Sequence, residues 1–205
     1  MSPGPRLSRD ERRERILSAA ARVFAASGYD AAGMREVATA AGISTPVLYD
    51  HFPSKARLYA GLLESEVDSL LAGWEGLPTS GSVEELLRSR VAAIFAWMET
   101  NERGWRMIFA ETPSDPAVAE THRRGQARAT GQLTEVFARV PGLALTADLP
   151  RERANEALAE AAKSALNAIA TWWWSNRDIP REQVVALTAD LLWRGLGALF
   201  QEENE

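Results

Sequence analysis

Residues 34–55 read MREVATAAGISTPVLYDHFPSK, and this stretch decides the fold. Val37 and Ala38, then Leu48 and Phe52, recur at helical spacing on either side of Ala41-Gly42, where glycine can take the left-handed backbone that ends a helix. Ser44 is a helix-capping residue, and Pro46 suits the first turn that follows it. The spacing predicts a short helix over about 34–40, a tight turn at Gly42 and a second helix opening at Ser44. Val37, Ala38, Ile43, Leu48 and Phe52 lock the two together, small Ala38 allowing close approach. Two short helices joined by a glycine-containing turn form the helix-turn-helix pattern, whose first helix braces on the nucleic-acid backbone and whose second enters the major groove. An ordinary helical hairpin has the same periodicity, so the pattern alone leaves both readings open.

The flanks are helical as well. Ser8 and Glu11 form a capping box that starts a helix with the apolar stripe Ile16, Ala20, Val23 and Phe24, ending at Gly28. Pro53-Ser54 breaks the chain, and a fourth helix is expected over about 55–74. Ser82 and Glu85 open a fifth, a short sixth runs over about 104–111, and Asp115-Pro116 launches a seventh to about 140. Pro150 and Pro180 mark the starts of the eighth and ninth. Alternating strand patterns are nearly absent. The expectation is an all-α protein of about nine helices: a flexible arm over 1–9, a three-helix module over 10–54 and a helical body over 55–205.

Charge supports a nucleic-acid contact at one end. The 205-residue chain carries a net charge of −5, which argues against such a partner until its distribution is seen: residues 1–60 carry +3 and the remainder −8. Cysteine is absent, removing disulfides, thiolate metal sites and cysteine nucleophiles, and only His51 and His122 could build a histidine site. Neither a cofactor nor a metal is expected. No apolar run approaches the roughly 18 residues that span a bilayer, so a cytoplasmic protein without a membrane contact is expected.

Beyond these physical cues, a series of local strings carries a resemblance. Ile16-Leu17, Ala19-Ala20, Phe24, Gly28-Tyr29, Arg35-Glu36-Val37-Ala38, Ala41-Gly42-Ile43-Ser44 and Leu48-Tyr49-Asp50-His51-Phe52-Pro53-Ser54-Lys55 closely resemble the N-terminal domain of TetR-family transcriptional regulators. The resemblance covers about residues 10–60. It implies a homodimer that binds operator DNA, most often as a repressor, with a small-molecule pocket in the C-terminal domain. It further implies that Tyr49, His51 and Lys55 approach phosphates, a role that suits Lys55 at a helix start, and that Arg35 reaches a base edge. Departures from the family pattern matter for specificity. Thr45 stands where a basic residue is common, followed by Pro46 and Val47, so that with Ser44 this helix offers methyl groups and hydroxyls, while Asp50 can accept from cytosine or repel phosphate. Ala32-Gly33 replaces the usual Ser or Thr, which removes a hydroxyl contact to phosphate. Direct base reading is therefore sparse, and Arg35, the arm residues Arg6 and Arg9, and DNA shape carry much of the selectivity.

In the body, helices eight and nine are the most apolar. Val184, Leu187 and Leu191 mark one stripe of helix nine and Val185, Leu192, Leu196 and Leu199 another, and two stripes imply one internal and one external partner. Small Ala161 and Ala165 on helix eight permit close packing, so a four-helix seam between two copies is expected through these alanines with Leu192, Leu196 and Leu199. Trp172-Trp173-Trp174 fans over about 200° and cannot share one environment. A pocket for a bulky, largely apolar effector is expected among Phe95, Trp97, Met98, Trp105, Phe109 and Trp172, with His122, Gln126, Asn167 and Thr171 as polar handles. Most of these aromatic residues also read as plain core. A helical enzyme is disfavoured, because there is no nucleophile-elbow or phosphate-loop motif and no histidine pair at metal spacing. A helical ligand-binding or adaptor dimer without operator binding is the other alternative.

Overall fold

A computed structural model describes residues 7–110, 115–138 and 148–197. Among these residues there are nine α-helices, one π-helical segment and no strand. In chain order they are α1 (Arg9–Ala31), α2 (Met34–Ala41), α3 (Thr45–His51), α4 (Lys55–Ala72), α5 (Val83–Thr100), α6 (Glu102–Trp105), the π-helical Arg106–Ala110, α7 (Pro116–Ala138), α8 (Arg151–Trp174) and α9 (Arg181–Gly197). They fall into two compact units, one of Met1–Val67 with Arg103–Gly125 and one of Asp68–Glu102 with Gln126–Glu205. This division differs from the cut at residue 54 read from the sequence. Leu58, Tyr59, Leu62 and Leu63 of α4 are buried in the first unit, and the Tyr29 hydroxyl, after α1's apolar stripe, donates to Asp115 at the head of α7 at 2.6 Å.

The first unit is built on local signals. Ser8 Oγ accepts from the Glu11 N–H at 3.1 Å while the Glu11 carboxylate accepts from the Ser8 N–H at 2.7 Å, closing the capping box of α1. Ile16, Leu17, Ala19, Ala20, Val23 and Phe24 then form one buried face. Regular helix stops at Gly28, whose φ of 73° and ψ of 169° only glycine adopts without strain, and a single further turn carries the chain to Ala31. At the turn between α2 and α3, Gly42 sits at φ 65° and ψ 38°, and the Ile43 N–H closes α2 on the Ala38 carbonyl at 3.0 Å. Val37, Ala38, Leu48 and Phe52 are buried as expected, with Ile43 half-buried. A side chain at position 42 meets both a backbone penalty and the Arg15 guanidinium, which lies 2.6 Å from where a Cβ would stand. Gly42→Ala is therefore expected to lower the melting temperature by about 2–4 °C. An unchanged melting temperature by circular dichroism would contradict this account of the turn.

In the second unit α5, α8 and α9 pack together. Phe95 and Met98 of α5 are fully buried, and Phe95 meets Trp173 edge-on with ring centroids 5.7 Å apart. Trp173 satisfies its indole by donating to the Ile179 carbonyl at 2.9 Å. Its neighbours diverge as the helical rotation requires: Trp172 is 46% exposed and Trp174 half-buried beneath Arg177. The short sixth helix expected over 104–111 is instead α6 followed by the wider π-helical turn of Arg106–Ala110. α7 ends at Ala138 among the described residues, and the expected end near Val140 lies outside them.

Candidate nucleic-acid interface

α3 is anchored by one residue. Leu48 is the buried residue of this seven-residue helix, and the other side chains are left outward. Pro46, Tyr49 and Asp50 are exposed, and Thr45, Val47 and His51 partly so. Ser44 occupies the N-cap position without a side-chain capping bond, so its hydroxyl is not consumed by the helix. Arg35, the second residue of α2, is exposed. The start of α1 contributes a further cationic group: Arg9, Arg12 and Arg13 all lie close enough to His51 to weaken its proton binding. Arg12 and Arg13 are candidate interface residues that the sequence reading passed over. Their signal is a basic cluster next to a capping box, which also reads as an ordinary solvated helix face. Arg13 lies over the Phe52 ring at 5.5 Å, which ties α1 to the end of α3. Arg6 lies outside the described residues.

Lys55, expected to approach phosphate, is engaged within the fold in this structure. Its ammonium donates to the carbonyls of Tyr29 at 2.8 Å, Asp30 at 3.0 Å and Ala32 at 3.2 Å, and lies 4.7 Å from the centre of the Tyr29 ring. An ammonium has three donors, and here all are directed at the end of α1. The physical reason is that the last turn of α1 holds no basic residue of its own, so its outward carbonyls attract the cation from α4. Beside it, burial and the Asp115 carboxylate raise the Tyr29 phenol, while that phenol and the Ala117 N–H hold Asp115 below the usual carboxylate range. The end of α1, the start of α4 and the head of α7 thus meet around one tyrosine.

Both histidines bind protons weakly. Burial, followed by Arg9 and Arg12, depresses His51, and burial depresses His122 against the opposing pull of the Met107 and Ile108 carbonyls. A histidine whose folded pKa lies below its ordinary 6.5 leaves the unfolded chain as the better proton acceptor, so stability falls as pH drops below that value. Urea denaturation is expected to show this loss between about pH 7 and the depressed pKa values, before carboxylates titrate, and His51→Asn to reduce it. Stability that rises through this window would contradict the assignment.

The residues expected to bind an effector are divided between the two units. Trp105, Phe109 and His122 belong to the first, and Phe95, Trp97, Met98, Gln126, Asn167, Thr171 and Trp172 to the second. Trp97 is buried and donates from its indole to Ser69 Oγ at 3.0 Å, so it is a bonded core residue. Two of the other residues stand outside the core. Trp172 and Thr171 lie on the exposed side of α8, because Trp173 takes the inward direction, and Thr171 bonds back to the Asn167 carbonyl at 2.8 Å. Grooves of about 430 Å³ in the first unit, between Arg57 and Arg124, and about 550 Å³ in the second, beside Trp74 and Arg128, are lined by other residues.

The expected dimer residues also separate. Ala161 is exposed and Ala165 half-buried, on the same outward face as Ala157, Ala168 and Trp172. Leu192, in contrast, is 8% exposed and faces its own core, while Leu187 and Leu191 are 55% and 53% exposed. Leu192 therefore packs in the core of its own unit, away from the exposed face that Leu187 and Leu191 share. Thr188 misleads the stripe reading, since this polar residue is fully buried and satisfied by its bond to the Val184 carbonyl at 2.7 Å. The side chain of Leu196, and Leu199 altogether, lie outside the described residues.

Comparison with known proteins agrees with this geometry. A profile described as bacterial regulatory proteins, tetR family, matches residues 16–62. FasR, an HTH-type transcriptional activator of Mycolicibacterium smegmatis, is 35% identical over 195 residues, which are 94% of this chain and 86% of its own length. An HTH-type transcriptional repressor of Mycobacterium tuberculosis is 31% identical over 137 residues, 58% of this chain and 69% of its own. The crystal structure of the transcriptional regulator FadR from Bacillus subtilis in complex with stearoyl-CoA shares the fold, with a TM-score of 0.71 at 16% identity over 89% of this chain and 97% of that one. With an anchored helix-turn-helix, outward α3 side chains and a relative similar over nearly its whole length, this chain belongs to the TetR family of DNA-binding transcriptional regulators.

Proposed function

We propose that two copies of this chain hold their α3 helices about one DNA turn apart in successive major grooves, and that a small, largely apolar effector changes operator affinity. The observation that carries this reading is the α3 helix itself, anchored by the buried Leu48, with Pro46, Tyr49 and Asp50 exposed and His51 beside the α1 arginines. Arg35 reads guanine; Thr45, Pro46 and Val47 contact thymine methyls; Asp50 accepts from cytosine; and Ser44, Tyr49 and His51 bond phosphates. Lys55 acts indirectly, by fixing the angle between α1 and α4. Arg35→Ala is expected to relax preference at one base position by about 1–3 kcal/mol. Competition between duplexes that differ at single positions of an operator selected from random DNA checks this. A uniform loss at all positions would remove Arg35 from base reading.

The second copy docks on the outward face of α8 and α9, through Ala161, Ala165, Trp172, Leu187 and Leu191. Large apolar side chains in water and a small-residue face beside them support this seam. For the effector, the stearoyl-CoA bound by the Bacillus subtilis neighbour supports a ligand with a long apolar portion. Such a ligand acts only through tighter binding to one of the two states of the dimer. The repression implied by the resemblance is one of two signs found among the relatives, the nearly full-length one being an activator. The same occupied operator blocks or assists transcription according to its position at the promoter. No helix among the described residues is long and apolar enough to cross a membrane, and the proposed site of action is the chromosome in the cytoplasm.

A further inference from the structure

The groove of about 430 Å³ in the first unit is lined from two helices, and each brings an arginine to it, Arg57 from α4 and Arg124 from α7. Both residues are exposed. With the Lys55 ammonium directed at the carbonyls of α1, Arg57 is the basic residue of the first turn of α4 left to solvent, and among the described residues no carboxylate pairs with it. Arg124 donates to Thr121 Oγ1 at 3.3 Å, one bond from a group with five N–H donors. Glu120 brings a carboxylate to the same groove, but it is already paired with Arg123. Ser54 Oγ accepts from the Arg57 N–H at 3.1 Å, so its own proton is available for donation. The apolar lining is small: Ala56, Ala60 and Ala117 leave the space between the helices open. Two guanidiniums lining one groove repel each other, and an anion between them turns that repulsion into attraction. The planar fork of arginine matches the oxygens of a phosphate.

We infer that this groove is a phosphate-binding site, with Arg57 and Arg124 gripping the oxygens and Ser54 donating from its hydroxyl. The phosphate belongs either to the DNA backbone or to a small phosphate compound, and the two sources leave different marks. A DNA phosphate held here releases counterions whatever the sequence, so each arginine contributes to the salt dependence of non-specific binding. A small phosphate compound binds without DNA and leaves that salt slope unchanged.

The test uses the full-length protein and its Arg57→Gln, Arg124→Gln and Ala56→Leu variants. Arg153→Gln is the control, since it removes the same charge from an exposed ion pair of the second unit. Melting curves report that each variant is folded. Inorganic pyrophosphate is titrated by calorimetry, and binding of a scrambled DNA duplex is followed by fluorescence anisotropy over a salt series. Each groove arginine is expected to weaken pyrophosphate binding about tenfold when replaced, or to flatten the DNA salt slope by about one. A flattened slope assigns the site to the DNA backbone, and weakened pyrophosphate with an unchanged slope assigns it to a small phosphate compound. Ala56→Leu fills the groove without altering a charge and should reproduce the loss, whereas Arg153→Gln should not. Should Ala56→Leu not fold, the two arginine variants decide. Pyrophosphate binding and salt slope that both ignore Arg57 and Arg124 overturn the inference. So does a loss that Arg153→Gln reproduces in full, or one that a folded Ala56→Leu protein does not show.

Discussion

Leu187→Glu combined with Leu191→Glu is expected to convert the protein into a folded monomer and to weaken operator binding by about three orders of magnitude or more. Both leucines are more than half exposed in the protomer, at 55% and 53%, so charging them removes no burial from its own core. In a twofold seam the same patch meets itself, which brings like charges together and strips them of water. A monomer offers one α3 to a DNA site built for two and retains little beyond non-specific attraction to phosphate. Sedimentation equilibrium reads the first effect and fluorescence anisotropy the second. Leu192→Glu is the informative contrast: at 8% exposure it should unfold the second unit instead of yielding a folded monomer. A double variant that stays dimeric would move the seam away from α9.

Leu48→Ala has the next largest expected effect. Leu48 is fully buried, and its truncation should cost about 2–5 kcal/mol. The loss falls on α3, because a helix of seven residues is not stable without the tertiary contact that anchors it. Amide exchange in α3 should accelerate and specific DNA binding should disappear at temperatures where α5, α8 and α9 keep their protection. Retained operator binding with an unprotected α3 would mean that another element reads the DNA.

What was legible in the sequence follows from the range of the interactions. Ser8 with Glu11, Ser82 with Glu85, and glycines at positions 28 and 42 act within a few residues, and the structure has both capping boxes and a positive φ at both glycines. The bonds of Lys55 within the fold were not legible, because its partners, the carbonyls of Tyr29, Asp30 and Ala32, lie more than twenty residues earlier and belong to backbone that leaves no mark in side-chain pattern. The π-helical turn at Arg106–Ala110 escaped for a related reason, since its apolar spacing fits an α-helix equally well. On α9 the choice between two equivalent stripes depended on Thr188, whose burial is paid for by a backbone bond that composition does not reveal.

The proposed function depends on paired α3 helices that bind a specific operator. Its most direct test is fluorescence anisotropy of the purified protein against DNA flanking its own coding region and a scrambled duplex, over a series of salt concentrations. Selective binding to the flanking DNA is expected, at least about a thousandfold tighter than to the scrambled duplex and weakening steeply with salt. Equal, weak binding to both duplexes, with the protein still dimeric, would contradict it and favour a helical ligand-binding dimer that has no operator at this locus.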